Sequence, residues 1–327
     1  MEINKINAVV FSSDNAAQLN IFLESVIKNA PDVFDLNVIT SSTNEDFFEA
    51  YTLVVDDKRF SDVNFEVATD DFKEQVLGRL KTKHDYSCFF LDDNIIYREI
   101  KSEDIINQIE SDDDIVCFSL RLGENTKKCY TLGAENVLGN IEDCGDFMKW
   151  DWTLHYLDFG YPFSTEGHVY RSKDIKKLIK KSVFSNAEEI EASLFEYTET
   201  FPRNKMVSYK ESTLVGVPAG RVQQSIEDEM EIKYKKSEAK ARKGKMNKMF
   251  LDGDFINLES IDLSNIEGCH QKLDFGDIGV ETSALDKVAI KKFGKRWDET
   301  TEEEKYEIDE VFDKFKEIVN QKQEKND

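Results

Sequence analysis

The chain has 327 residues, of which 40% are hydrophobic and 33% charged, and its formal net charge is −23. That length supports one large domain, or one domain with an appendage. The negative charge argues against nucleic acid as a general partner, because phosphates would be repelled at long range. No apolar run approaches the roughly 20 residues that span a bilayer, so no transmembrane segment is expected.

The cysteines and the amino-terminal residues bear on location. The five cysteines are scattered without a CxxC pair, and the first residues lack the basic-then-apolar pattern of a secretory signal. We interpret the cysteines as reduced thiols. Both features predict a cytoplasmic protein.

The first hundred residues alternate between strand and helix patterns. Residues 47–55 are apolar but fit a helix or a strand equally well. The other segments are predicted as strands at 7–11, 36–40, 63–67 and 88–91, and as helices at 16–28 and 70–83. This order is typical of the nucleotide-binding half of an α/β domain.

The last of these strands runs directly into Asp92, Asp93 and Asn94. Open α/β sheets place ligands at the carboxyl ends of their strands. Oxygen-bearing side chains at such a point suit Mg²⁺ or Mn²⁺ bound to a nucleotide diphosphate. The alternative is an ordinary polar turn, since Asp and Asn are common turn residues.

The middle of the chain continues the α/β pattern. Predicted strands lie at 115–123, 169–171 and 212–217, and predicted helices at 103–110, 174–181 and 186–197. Aromatic residues crowd the segment 149–167, which we predict as a loop. Such residues either pack a core or form a platform for the apolar face of a sugar. We expect Trp150, Trp152 and Tyr161 to line the acceptor side of a site.

Two segments stand apart from this pattern. A lysine-rich stretch at 233–248 is either a solvated loop or a lid that brings cations near phosphates. Beyond residue 280, two helices are predicted at 285–293 and 301–319, the second with an apolar stripe. We therefore predict a main domain at 1–280 and a helical extension at 281–327. We expect the stripe to pack on the main domain, on a partner protein, or on a second copy of the chain in a homo-oligomer.

Several motifs together resemble glycosyltransferases of the GT-A fold, similar to the family 2 enzymes. The more specific ones are 8–15 with 23–26, and the Phe90-Leu91-Asp92-Asp93-Asn94 run. Weaker ones are 118–123, 160–162, 166–168 and 217–223. The resemblance covers roughly residues 5 to 275. It implies a mixed α/β sheet flanked by helices and transfer of a sugar from a nucleotide donor, most simply a UDP-sugar, to a glycan, protein or small-molecule acceptor.

The resemblance also implies which residues bind the donor. The base and ribose would lie against the first strand end and the first aspartate, and the diphosphate needs cationic side chains and a metal. The donor-binding candidates are Phe11, Ser12, Ser13, Asn15, Asp92 and Arg121. The candidate ligands for Mn²⁺ or Mg²⁺ are Asp93, Asn94 and His270, with His168 as a second histidine. Asn94 weakens the metal prediction, because a neutral amide is a poorer ligand than a carboxylate.

Inverting transfer, the default for this family, needs a base for the acceptor hydroxyl. The resemblance places it at a helix start after the acceptor loop, where Glu189 and Glu191 lie, and Asp151 is a third candidate. Two other functions compete. A nucleotidyltransferase would carry a glycine-rich basic loop after the first strand, which 11–15 lacks. A non-catalytic GT-A-like protein that binds glycans or a partner is favoured by Asn94.

Overall fold

A computed structural model describes residues 5–218, 243–271 and 301. The strands are β1 (Ile6–Ser13), β2 (Phe34–Ser41), β3 (Asn64–Val67), β4 (Tyr86–Leu91), β5 (Asn94–Ile96), β6 (Ile115–Ser119), β7 (Lys128–Cys129), β8 (Ala134–Glu135), β9 (Ile141–Cys144), β10 (Phe147–Asp151), β11 (His168–Arg171), β12 (Lys205–Tyr209) and β13 (Leu214–Gly216). The α-helices are α1 (Ala16–Asn29), α2 (Glu45–Val55), α3 (Phe72–Arg79), α4 (Ser102–Glu110), α5 (Ser172–Lys181) and α6 (Glu188–Phe195), and residues 243–252 are also helical.

Nine strands form one mixed sheet in the order β3-β2-β1-β4-β11-β6-β12-β10-β9. Strands β1, β2, β3 and β4 are parallel to one another. Parallel pairing needs crossover connections, and helices α1, α2 and α3 lie in the connections between these consecutive strands. β11 then runs antiparallel to both β4 and β6. A second sheet of two strands pairs β5 with β13. The predicted mixed α/β sheet flanked by helices is confirmed.

The ambiguous segment 47–55 is helical. The Asn44 side chain accepts a hydrogen bond from the backbone N–H of Phe47 at 3.0 Å, which satisfies one free donor at the helix start. Phe47, Ala50, Tyr51 and Val54 are buried at helical spacing. The cap and the periodicity therefore agree.

The aromatic segment differs from its prediction. Residues 147–151 form strand β10 instead of a loop, and β9 and β12 flank it. Trp150 is 2% exposed and its Nε1 donates to the Phe159 carbonyl at 2.9 Å. Trp152, 6% exposed, donates to the Arg203 carbonyl. Both indoles are core residues, so the prediction that they line the acceptor side is wrong. Tyr161 is half-buried and stacks on Phe195.

Several predicted features lie outside the described residues. These are the two carboxyl-terminal helices with their apolar stripe, and most of the lysine-rich segment. The domain boundary near residue 280 and the homo-oligomer therefore stay predictions. Within the described ranges, none of the helices is both long and apolar enough to cross a membrane.

A cluster of three charged residues, Asp112, Lys149 and Lys205, links the turn before β6 to strands β10 and β12. Asp112 accepts from Lys205 at 2.7 Å and lies 3.5 Å from Lys149 Nζ. Hydrogen bonds from Lys205 and from the backbone of Asp114 lower the pKa of Asp112 to about 2, from an ordinary 3.8. The unfolded chain thus takes up this proton at a higher pH than the folded chain does. The stabilisation is fully present above pH 3.8 and is lost as the pH falls toward 2.

We therefore expect Asp112→Asn to lower the urea midpoint at pH 7 and to lower it by less at pH 3, relative to the unmodified protein at each pH. Asp62→Asn, at an exposed position, serves as the control. An equal difference at both pH values would show that the ionised carboxylate does not stabilise the fold.

Candidate active site

The register of the central strands brings two polar segments together. β1 and β4 are parallel neighbours, and Phe11 is paired with Leu91. Their carboxyl ends therefore lie side by side at the same edge of the sheet. This places the 12–15 turn beside Asp92, Asp93 and Asn94. The Phe11 ring packs inward against Phe89 and is buried.

Asp92 organises the end of β1. Its Oδ2 accepts hydrogen bonds from Ser12 Oγ at 2.9 Å and from the backbone N–H of Ser13 at 3.1 Å. Its Oδ1 accepts from Asn15 Nδ2 at 2.8 Å. Tyr51 extends the network, because its hydroxyl lies 2.6 Å from Ser12 Oγ and accepts from the Asn15 backbone. Burial and the nearby Asp92 charge raise the pKa of Tyr51, so its hydroxyl stays neutral.

A second row of residues crosses the small sheet next to this turn. Gly216 is paired with Asn94 on one side and forms a bridge to His270 on the other. The backbone N–H of Val217 donates to the Asp93 carbonyl at 2.7 Å, which fixes the turn against β13. Residues that are far apart in sequence therefore stand side by side.

Glu166 reaches over this row from the loop before β11. The loop is held by a hydrogen bond from Gly167 N to the Phe89 carbonyl at 2.8 Å, and Gly167 takes a φ of +72° that favours glycine. Glu166 is 3% exposed. Its Oε2 lies 2.8 Å from His270 Nε2 and 3.3 Å from Asn94 Nδ2. In the sequence, Glu166 stands out only as part of the weak motif at 166–168, which predicts no role for it.

The orientation of Asn94 matters for the predicted metal site. Its Oδ1 accepts from the backbone N–H of Leu91 at 3.1 Å. Its Nδ2, assigned through this network, therefore faces the carboxylates of Asp93 and Glu166 at 3.4 and 3.3 Å. The backbone of Leu91 therefore engages one of the two lone pairs of the amide oxygen. In the described parts of the chain, no three His, Cys, Asp or Glu side chains are grouped to hold a metal by themselves.

Arg121 supplies a buried positive charge beside this cluster. Its Nη1 donates to Ser164 Oγ at 2.8 Å and lies 4.0 Å from Glu166 Oε2. Its Nη2 lies 3.7 Å from Asp158 Oδ1. Burial alone would lower the pKa of Arg121, but neighbouring acidic groups raise it well above its ordinary value. The guanidinium is therefore a permanent cation.

The three candidate bases lie in different surroundings. Glu191 Oε1 accepts from Ser164 Oγ at 2.7 Å and from the Thr165 backbone at 2.6 Å, so it holds the loop that carries Glu166. Glu189 is exposed, and hydrogen bonds from Ser185 at the start of its own helix lower its pKa. Asp151 caps the turn at 152–154. Of the three, Glu191 is the one hydrogen-bonded to the loop that forms the site.

A curated protein is similar to this chain in sequence. It is the bifunctional glycosyltransferase pgtA of Dictyostelium discoideum, 26% identical over 195 residues. The match covers 54% of this chain and 25% of the relative, so the chain matches about a quarter of that protein's length. No protein-family model matches the chain. The predicted resemblance to GT-A glycosyltransferases is confirmed by this relative together with the observed mixed sheet.

Solved glycosyltransferase structures also show a distant likeness. Residues 1–349 of TarS from S. aureus, in complex with UDP-GlcNAc, share 14% identity at a TM-score of 0.43, over 76% of this chain and 72% of that one. The galactosyltransferase LgtC, with donor and acceptor sugar analogues, shares 14% identity at 0.32, over 61% and 67%. Both scores are low, and neither likeness bears on the chemistry of this chain.

Proposed function

We propose that the protein is a glycosyltransferase that takes a sugar from a nucleotide-diphosphate donor, with a UDP-hexose as the first donor to test. The observation that carries this proposal is the convergence of the Asp92 network with the Asn94–Glu166–His270 cluster at the ends of β1 and β4. A buried edge of this kind presents polar groups to a base and ribose on one side and to phosphates on the other. The sequence similarity to a glycosyltransferase supports the same function.

Each residue then has a proposed role. Ser12, Ser13 and Asn15 form the wall for the base and ribose, and Asp92 keeps that wall in place by accepting their hydrogen bonds. Arg121 is a positive charge within reach of the loop next to the diphosphate, where charge develops as the leaving group departs. A divalent cation, when bound, would neutralise further charge on that diphosphate.

Glu191 is our proposed base for the acceptor hydroxyl. It is half-buried and linked through Ser164 to Arg121, whereas Glu189 and Asp151 cap local turns. A base within hydrogen-bond reach of the hydroxyl would take its proton as the hydroxyl oxygen bonds to the anomeric carbon of the sugar. The attack occurs on the face opposite the nucleotide diphosphate, whose bond to that carbon breaks and which leaves with the bonding electrons. Inversion of the anomeric centre follows from that arrangement.

Calorimetry with UDP tests the proposal. We expect Asp92→Ala to weaken UDP binding by about ten-fold or more, because each hydrogen bond that the wall for the base and ribose donates to this carboxylate is worth roughly 1.5–3 kcal/mol. We expect Asp93→Ala to weaken UDP binding as well, because the turn after β4 loses the hydrogen bond that Asn94 Nδ2 donates to Asp93 Oδ1. Asp62→Ala, which removes an exposed carboxylate elsewhere, should bind as the unmodified protein does. Melting temperatures identify any variant that fails to fold, and UDP affinity is compared among the folded variants only.

Unchanged UDP affinity in both variants, or no binding of any nucleotide by the unmodified protein, would overturn the proposal. A panel of UDP-, GDP- and CMP-sugars in a thermal-shift assay, followed by detection of transferred sugar, separates the alternatives. Binding without any transfer would favour the non-catalytic glycan-binding protein. Release of diphosphate from a nucleoside triphosphate would favour a nucleotidyltransferase.

A further inference from the structure

The strand-end motif after β4, Asp92-Asp93-Asn94, has an amide instead of an acid at its third position. In the folded chain, a carboxylate from another segment lies beside that amide. Asn94 Oδ1 already accepts from Leu91 N, and a neutral amide oxygen is a poorer ligand for a hard cation than a carboxylate. The Glu166 carboxylate lies 3.3 Å from the other side of the same amide. It comes from the loop that precedes β11, 72 residues later in the sequence.

Neighbouring residues fix the position of the buried Glu166 side chain. A carboxylate that is 3% exposed is stable only when it is paired, because burying an unpaired charge is costly. Its Oε2 lies 2.8 Å from His270 Nε2 and 4.0 Å from Arg121 Nη1. Gly216 lies beneath both side chains, and a Cβ there would stand 3.1 Å from Glu166 Oε2 and 2.6 Å from His270 Cδ2. The pair therefore occupies space that any other residue at 216 would fill.

The donor set fits a divalent cation that shares its ligands with a substrate. One carboxylate oxygen and one imidazole nitrogen converge, and hard cations in nucleotide sites are held by one or two protein groups together with substrate phosphates. An imidazole ligand argues against Mg²⁺, a hard cation that is held through oxygen ligands, and Mn²⁺ is the other divalent cation under test.

We propose that Glu166 is the carboxylate ligand of the Mn²⁺ ion that the resemblance implies, that it acts beside His270, and that the nucleotide diphosphate completes the coordination; Asn94 Nδ2 contacts the same carboxylate. The inference rests on the proposed function, since it needs a diphosphate in the site. The protein ligands of the ion then come from the loop before β11 and from residue 270. Asn94, the third residue of the Asp92-Asp93-Asn94 motif, is not one of them.

The proposal makes metal and nucleotide binding interdependent. With only two protein ligands, the chain alone holds Mn²⁺ weakly, and bound UDP adds the missing oxygens. By thermodynamic reciprocity, Mn²⁺ then raises the affinity for UDP by the same factor. Any residue that holds the ion should reduce this coupling when it is replaced, without abolishing metal-free nucleotide binding.

Electron paramagnetic resonance of Mn²⁺ with the full chain, with and without UDP, tests the proposal. We expect UDP to tighten Mn²⁺ binding, and Glu166→Gln or His270→Gln to weaken Mn²⁺ binding in the presence of UDP by roughly 10–100-fold. Glu211→Gln removes an exposed carboxylate that pairs with Arg98, and it should behave as the unmodified protein does. Electron spin echo modulation of the unmodified Mn²⁺–UDP complex should show coupling to an imidazole nitrogen that His270→Gln removes.

The outcomes separate the two proposals. If UDP binds but Mn²⁺ binding is unchanged in both variants, or if no nitrogen coupling appears, the metal assignment is wrong and the proposed function stands. If UDP does not bind at all, both fail. Should Glu166→Gln not fold, the nitrogen coupling in the unmodified protein and its loss in His270→Gln decide the matter.

Discussion

Replacing Gly216 with alanine is expected to weaken the coupled binding of UDP and Mn²⁺ while leaving the fold in place. The new methyl carbon would lie 2.6 Å from His270 Cδ2, a distance that non-bonded carbon atoms do not reach. It would also lie 3.1 Å from Glu166 Oε2. The φ angle of Gly216 is not positive, so alanine is compatible with the backbone and the effect is steric. His270 must move, which separates it from Glu166.

Metal-dependent UDP affinity measured by calorimetry should fall by roughly ten-fold or more in this variant, as when a metal ligand loses its orientation. Gly78→Ala is the matched control. Gly78 lies within α3, and a Cβ there meets nothing within 4 Å. Because glycine inside a helix costs about 0.5–1 kcal/mol relative to alanine, the control should be slightly more stable and bind normally. Normal binding by Gly216→Ala would place the ligands elsewhere.

Trp150→Ala is expected to lower the free energy of unfolding by about 3–5 kcal/mol, the usual cost of removing a buried aromatic side chain. The indole is buried on β10 and meets the Phe159 ring edge-on at 5.4 Å between centroids. Its loss would also leave the Phe159 carbonyl without the hydrogen bond that Trp150 Nε1 donates. Both effects act on the core, so urea denaturation is the appropriate measurement.

Tyr156→Ala provides the comparison for this prediction. Tyr156 lies in the same aromatic segment but is 86% exposed, so its removal should change the free energy of unfolding by no more than about 0.5 kcal/mol. If Trp150→Ala instead kept normal stability and lost sugar transfer, the indole would belong to the acceptor side after all.

The sequence by itself determined the elements of the first half and the class of the sheet. Strands β1, β2 and β4 and helices α1 and α4 follow from local patterns, because burial on one face or both faces leaves a period that is visible in a short window. The polar residues after β1 and β4 were identified for the same reason. Parallel neighbours in an α/β sheet end at the same edge, so Ser12 and Asp92 were expected to meet.

The tertiary structure alone decided the composition of the site. Asn94, Glu166, Gly216 and His270 belong to four separate segments, and no local period indicates that they pack together. The orientation of the Asn94 amide depends on the backbone N–H of Leu91, which donates to its oxygen. The sequence does not show which amide atom that donor faces. Likewise, the same run of aromatic residues is compatible with a sugar-binding surface and with a buried core, so the sequence does not distinguish between them. Trp150 is buried because β12 pairs with β10, and a pairing between distant strands is a property of the folded chain.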